Sequence, residues 1–241
     1  MLDAIPRNFR NQLLSGLTEA QLAHLVPHLE PVELPVRLTM QVPGEPIEHV
    51  YFPAVGITSI VVADLRGKRI EAGLFGRDGM TGLPVVMGTG RSPHEVFVQV
   101  EGQGHRIEAD ALREAMAAEP ALRERFLRYA QALAVQVSFT ALTNGHHTIE
   151  ARFARWMLMC DDRSDGDVIV LTHEFLALML GVRRSGVTVA THVMEGRGLI
   201  KATRGRIRIL DRGGLETAAD GSYGVPEAEY QRLLGGKAGQ A

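Results

Sequence analysis

The sequence predicts an α+β chain in three consecutive parts: an N-terminal antiparallel β-roll, a long dimerisation helix and a C-terminal winged helix-turn-helix. Three observations predict it. Leu171 to Leu210, LTHEFLALMLGVRRSGVTVATHVMEGRGLIKATRGRIRIL, reads as a helix, a tight turn, a second helix and a two-stranded hairpin. Glu30 to Gly104 carries short alternating or β-branched runs divided by turn residues. Between them, Ala121 to Leu142 carries apolar residues at spacings of three and four.

Composition limits the function. The 241 residues suffice for one large domain or two modest ones. A hydrophobic content of 45% fits a globular protein with a real core. No apolar run reaches the length of a membrane span. The start, MLDAIPRNFRNQLL, lacks the basic-then-apolar order of a signal peptide, so a cytoplasmic location is expected. The single cysteine, Cys160, excludes internal disulfides and any zinc or iron–sulfur site built on several thiolates. The net charge of −2 hides a division. Residues 183–212 hold eight Lys/Arg and two acids, whereas residues 1–182 hold 16 basic and 22 acidic side chains. A basic end on an acidic protein is the electrostatic footprint of nucleic-acid binding.

Taken in order, Thr18 to Leu29 (TEAQLAHLVPHL) reads as a short helix capped by Thr18 and interrupted near Pro27. The strand runs are VELPVRLTM, HVYFPAVGITSIVVADL, KRIEAGLFG and EVFVQVEG. Turns are expected at Pro43-Gly44-Glu45, Val55-Gly56, Arg66-Gly67, Gly88-Thr89-Gly90 and Gly102-Gln103-Gly104. Asp110 to Ala118 is a helix stopped by Glu119-Pro120, and Pro120 suits the first position of the next helix. In that long helix Leu122, Phe126, Tyr129, Ala130, Leu133, Val137, Thr140 and Ala141 recur at helical spacing. A helix apolar on more than one face needs more than one partner. One is the roll. The other is the same helix of a second subunit, unless this is an ordinary internal helix. Asn144-Gly145 is expected to break it, and a further helix to run from about His147 to Met159.

Asp161 to Asp167 reads as a loop and Val168 to Leu171 as a short strand. Thr172 is a good N-cap for a helix over His173 to Leu180. Gly181 suits the left-handed turn that follows. The second helix, Arg184 to Glu195, places Val187, Ala190 and Met194 on one face and Arg184, Thr188 and His192 on another. Gly196 and Gly198 end it. Leu199 to Thr203 and Arg206 to Leu210 form a hairpin with its tip at Arg204-Gly205. Residues 213–225 read as irregular, Glu227 to Leu234 as a terminal helix, and GGKAGQA as a frayed tail. The implied units are a sensor over 1–119, a dimerisation helix over 120–143, a DNA-binding domain over 144–225 and a tail over 226–241.

A roll, one long helix and a winged helix, in that order, resemble the Crp/Fnr family of bacterial transcription regulators. The likeness covers roughly residues 15–215. It is carried most specifically by LTHEFLALMLGVRRSGVTVATHVMEGRGLI, with PGEPIEHVYFPAVG resembling the early sensor roll. The resemblance implies a cyclic-nucleotide-binding-like roll and a homodimer through helix 121–142. It also implies an inverted-repeat double-stranded DNA operator and contact with RNA polymerase, and it leaves room for an unidentified small-molecule effector. The family's cyclic-nucleotide cassette carries a Glu for the ribose hydroxyl, followed by an Arg-Ser pair. Here Met80 stands where that Glu would be, in Gly79-Met80-Thr81-Gly82-Leu83. A thioether cannot replace a carboxylate acceptor. Arg91-Ser92 stands near the Arg-Ser pair, but Pro93 shifts the register. The chain thus resembles a subgroup lacking the cyclic-nucleotide Glu, and response to cyclic AMP is not expected. Arg77, Asp78, Met80, Arg91 and Ser92 are the candidate effector residues. The oxygen-sensing members carry several N-terminal cysteines, and this chain has none before Cys160.

For DNA, Arg184, Ser185 and Thr188 should face base edges, because the first turns of a recognition helix reach deepest. Arg183, His192, Lys201, Arg204 and Arg206 should contact phosphates and set register. Gly186 inside the helix costs about 1 kcal/mol relative to Ala, which close approach to DNA or tight packing on Ala177 would explain. No enzyme activity, cofactor or metal is expected. His146-His147 fits a helix-start or packing role better than a metal pair, since adjacent helical side chains diverge. The rival function is a ligand-binding sensor module whose winged helix serves protein contact. A cupin-like metal enzyme is more distant, because no closely spaced histidine ligands occur.

Overall fold

Capping residues set the helix starts. The Thr18 hydroxyl accepts from Gln21 N while the Gln21 side chain returns to the Thr18 amide, which opens α2 (Glu19–Leu25) after a single turn, α1 (Gln12–Ser15). Pro27 then tightens the chain into a 3-10 turn, Val26–His28. The computed structural model describes residues 9–235; the frayed tail expected beyond Gly235 lies outside them.

The roll follows as β1 (Glu30–Leu34), β2 (Thr39–Gln41), β3 (His49–Ala63), β4 (Arg69–Phe75), α3 (Leu83–Val86), β5 (Glu95–Glu108) and α4 (Ala109–Ala118). Its strands are antiparallel in the order β1-β5-β3-β4, with β2 also paired to β5. Two expected turns are absent. Val55-Gly56 lies within β3 and Gly102-Gln103-Gly104 within β5. The β3–β5 register shifts beside both. Gly56 has φ +97°, and a Cβ there would lie 2.6 Å from the Val100 carbonyl; one on Gly102 would run into the Val55 carbonyl. These glycines permit bulges where two backbones nearly touch, so the sheet bends without breaking.

The long helix is α5 (Pro120–His146), with Pro120 at its first position. It passes through Asn144-Gly145, where a break was expected, and stops where His147 turns extended. Its inner face is less apolar than the pattern suggested. Arg125, Gln136 and Thr143 are buried with Leu122, Phe126, Tyr129 and Leu133, while Ala141 is exposed. Arg125 fits because Gly16 leaves room for its guanidinium, which donates to the Leu13 carbonyl. Leu122, Phe126 and Tyr129 join Leu13, Val50, Phe52, Met80 and Ile107 in one core inside the roll. Each large apolar side chain fully buried there contributes about 1.5–3 kcal/mol.

The C-terminal part comprises α6 (Ile149–Asp161), β6 (Val168–Val170), α7 (His173–Leu180), α8 (Arg184–Gly196), β7 (Ile200–Thr203), β8 (Arg206–Ile209), α9 (Arg212–Ala218) and α10 (Val225–Leu234). Thr148 caps α6, two residues later than expected. The segment read as irregular contains α9, started by the Asp211 carboxylate accepting from Gly214 N. Arg155 then ties this region back to α5, donating to the Ser222 carbonyl and to Thr140 Oγ1. Helix α10 packs along α5, with Leu234 in the roll's core and the Tyr230 hydroxyl donating to the Asp78 carbonyl at 2.7 Å. Among the described residues no helix is long and apolar enough to cross a membrane.

Candidate nucleic-acid interface

The helix-turn-helix is built from local signals. The Thr172 hydroxyl accepts from Phe175 N and starts α7. Gly181 ends it at φ +59°, and a Cβ there would press on the Ile70 side chain of β4. Val187, Ala190 and Met194 of α8 are completely buried. That fixes the opposite face outward, with Arg184, Ser185 and His192 exposed and Thr188 half-buried. The Thr188 hydroxyl donates to the Arg184 carbonyl at 3.1 Å. Two outward residues escaped the sequence reading: Val189 is 58% exposed and Val193 38%. The signal was available, since both fall off the Val187–Ala190–Met194 face. Gly186 has no tight neighbour; a Cβ there would meet Ile149 and Val182 at an ordinary 3.6 Å, and Ala177 is not among its nearest contacts.

The wing is a three-stranded sheet in the order β6-β8-β7. Ile200, Ile207 and Ile209 point into the core, and Lys201, Arg206 and Arg208 point out. Lys201 and Arg208 are direct cross-strand partners. Like charges in that position destabilise a sheet unless an anion lies over them. Arg204 and Gly205 form the tip, Gly205 at φ +73°. The Glu195 carboxylate accepts from Ala202 N at 2.8 Å and fastens wing to helix.

The ion pairs sort these charges. Arg183, Lys201, Arg204 and Arg206 have no ion-pair partner among the described residues. Arg184 meets Glu174 at 3.2 Å, with both side chains more than 60% exposed, so the pair is readily exchanged. Arg208 pairs with Asp167 at 3.4 Å. Arg212 differs: it bonds Asp161, Asp162, Glu216 and the Tyr223 hydroxyl, so one of the eight basic residues serves the fold.

The candidate effector residues fall into two groups with no common partner. Arg77 and Asp78 face the turn after α6. Arg77 donates to Asp165 Oδ1 and to the Asp162 and Ser164 carbonyls, and Asp78 pairs with the buried Arg163 at 2.6 Å. Arg91 donates to the Gly44 carbonyl, and the Ser92 hydroxyl accepts from His94 N. Met80 lies in the roll's core, 1% exposed. A cavity of about 420 Å³ opens between β4, α5 and α10, lined by Asp78, Tyr129, Gln136, Arg163, Tyr223 and Tyr230 among others. Its polar groups are bonded within the chain: Tyr129 to the Met80 carbonyl, Gln136 Oε1 to Leu74 N, Tyr223 to Asp162. Cys160 is buried, and burial pushes its thiol well up. His147 Nε2 lies 3.1 Å from the Asp220 carbonyl, a packing role. Among the described residues no group of three or more His, Cys, Asp or Glu is placed to hold a metal ion.

The helix pair, its buried triad and the wing together match one family profile over residues 151–218. The profile matched is that of the Crp-like helix-turn-helix domain. Most of the chain shares the fold of solved structures, among them proteins described as crp/fnr-family or CRP-family regulators. A protein assigned to the crp/fnr family from Eubacterium rectale is 19% identical, with a TM-score of 0.66 over 86% of this chain and 97% of its own. FixK2 from Bradyrhizobium japonicum is 14% identical, with a TM-score of 0.69 over 79% of this chain and 96% of its own. A CRP-family transcriptional regulator from Thermus thermophilus is 20% identical, with a TM-score of 0.64 over 79% and 96%. No curated protein matches the sequence. The Crp-like domain ends before α10, which extends past it to α5.

Proposed function

We propose that the chain is a homodimeric, sequence-specific DNA-binding transcription regulator. The observation that carries this reading is the outward face of the Crp-like domain, where Arg183, Lys201, Arg204 and Arg206 have no ion-pair partner among the described residues. Arg184, Ser185 and Thr188 read base edges, and Val189 meets a thymine methyl, the apolar feature of the major groove. Arg183, His192, Lys201, Arg204 and Arg206 hold phosphates.

Dimerisation is supported by the outer side of α5. Leu127, Gln131, Ala134, Ser138 and Ala141 are exposed at steps of three to four, with Leu142 exposed beside them. Small and apolar residues at that spacing suit a second copy of α5 packed about a two-fold axis. Two recognition helices then address an inverted repeat, and bound RNA polymerase completes the regulator. Residues 1–119 serve as sensor, 120–143 as dimer helix and 144–225 as DNA-binding domain. The sensor does not answer to cyclic AMP, because Met80 is a buried core residue where that ligand needs a carboxylate.

Selection of bound duplexes from a random library tests the reading. It should return an inverted repeat with half-sites about 10 base pairs apart, or a multiple of that. Recovery of unrelated sequences would contradict it.

A further inference from the structure

The Crp-like domain is docked on the outer face of the roll. Ile57, Val61, Leu74 and Phe97 of the sheet share one apolar core with Phe153, Met157, Leu176 and Met179. Phe175 of α7 stacks on Phe97 of β5 at 6.0 Å between ring centroids.

A polar cluster is enclosed in this seam. Glu71 of β4 is 4% exposed, and its Oε1 accepts from Trp156 Nε1 of α6 at 2.9 Å. Its Oε2 has no hydrogen-bond partner among the described residues. On β3 the Ser59 hydroxyl donates to Gln99 Oε1 of β5 at 2.7 Å and lies 3.6 Å from Met179 Sδ of α7. Gln99 Nε2 is also unpartnered. The charged and titratable groups around Glu71 come from the C-terminal part: Arg155 and the Cys160 thiol on α6, and Arg163 just after it. The strands and α7 contribute the neutral Ser59, Gln99 and Met179. Neither arginine makes an ion pair with Glu71. Arg155 is bonded to Gln136, Thr140 and Ser222, and Arg163 to Asp78 and Met159.

We propose that Glu71 is a proton-operated latch between roll and Crp-like domain: the seam closes on the neutral carboxylic acid and loosens on the carboxylate.

An ionised Glu71 would carry an undonated oxygen in a buried seam, which is far costlier than a neutral acid there. Burial pushes the carboxyl from its ordinary 4.5 to about 7, against the opposing pull of the nearby Ser59 hydroxyl, which is turned to Gln99, of the Trp156 N–H and of the two arginines. Docking therefore takes up a proton. It is tightest at and below pH 4.5, weakens from there to about 7, and is level above that. Within the window each pH unit costs up to about tenfold in the docking equilibrium. The consequence for DNA, that undocking changes where α8 sits relative to α5, rests on the function proposed above; the proton linkage does not.

Trp156 is the only tryptophan, so its fluorescence reports on the group that its own N–H meets. In the full chain, titrated from about pH 5 to about 9, emission should change with a midpoint near 7. Glu71→Gln keeps an acceptor oxygen and cannot ionise, so its emission should stay flat. Amide exchange in α7 should rise beyond the ordinary base catalysis up to about pH 7 in the wild type and level off above it, and should show no such excess in the variant. A flat wild type, or a variant that keeps the transition, overturns the latch. Should the variant not fold, wild-type chain carrying ¹³C-labelled glutamate decides. One side-chain carboxyl titrating near 7 supports the latch, and titration of all of them at ordinary acid pH overturns it. A fluorescence transition without DNA binding at any pH would sink the DNA reading and leave the latch standing.

Discussion

Lys201 and Arg206 on the wing are exposed and have no ion-pair partner among the described residues, whereas Arg163, Arg77 and Arg212 behind α6 are each held by two or more acceptors. The two regions spend the same chemistry differently. Behind α6 a guanidinium joins parts of one chain, so its charge is consumed. On α8 and the wing charge is left over, and Lys201 even faces Arg208 across the strands. Leftover charge of one sign is unfavourable to the isolated fold. It makes sense only against a partner of opposite sign.

The comparison breaks most sharply under substitution. Arg163→Ala strands Asp78, whose side chain is 14% exposed, without its partner. It should cost about 3–5 kcal/mol in denaturant unfolding, and a loss below about 1 kcal/mol would mean that the pair is not structural. Arg184→Ala should leave stability within about 0.5 kcal/mol, since its pair with Glu174 is exposed. In DNA competition it should lose about 1–3 kcal/mol of discrimination while non-specific binding persists. Equal weakening on every sequence would make Arg184 a phosphate contact. Gly186→Ala should stabilise by about 1 kcal/mol in thermal unfolding, because the space for a Cβ exists. If DNA affinity falls at the same time, the glycine is explained by close approach to the duplex. Lys201→Ala should lower affinity on all sequences alike and reduce the salt slope by about one, read by anisotropy at several ionic strengths.

The helix pair and the wing were legible because their signals are local, whereas α9, within the same domain, was not. A hydroxyl at 172, a glycine at 181, a buried triad at 187, 190 and 194, and a Gly tip at 205 each act within a few positions. The roll was legible as strands but not in its bends. Gly56 and Gly102 looked like turns, yet they are glycines because two distant backbones meet there. Asn144-Gly145 stays helical because α5 is packed on the roll and α10, which outweighs weak local propensity. The seam was invisible for the same reason. Arg77 and Asp78 find their partners more than 80 positions away, and no spacing rule predicts a pairing at that distance. Nor could the charge partition know that Arg212 is neutralised by Asp161 and Asp162.

The central claim, that the leftover charge exists for DNA, is tested most directly by equilibrium binding to a random duplex at about 50 and about 200 mM salt. A dimer using five phosphate-facing side chains per recognition face should bind at the lower concentration and lose about a thousandfold or more in affinity at the higher. No binding at low salt, or binding indifferent to salt, would contradict the account.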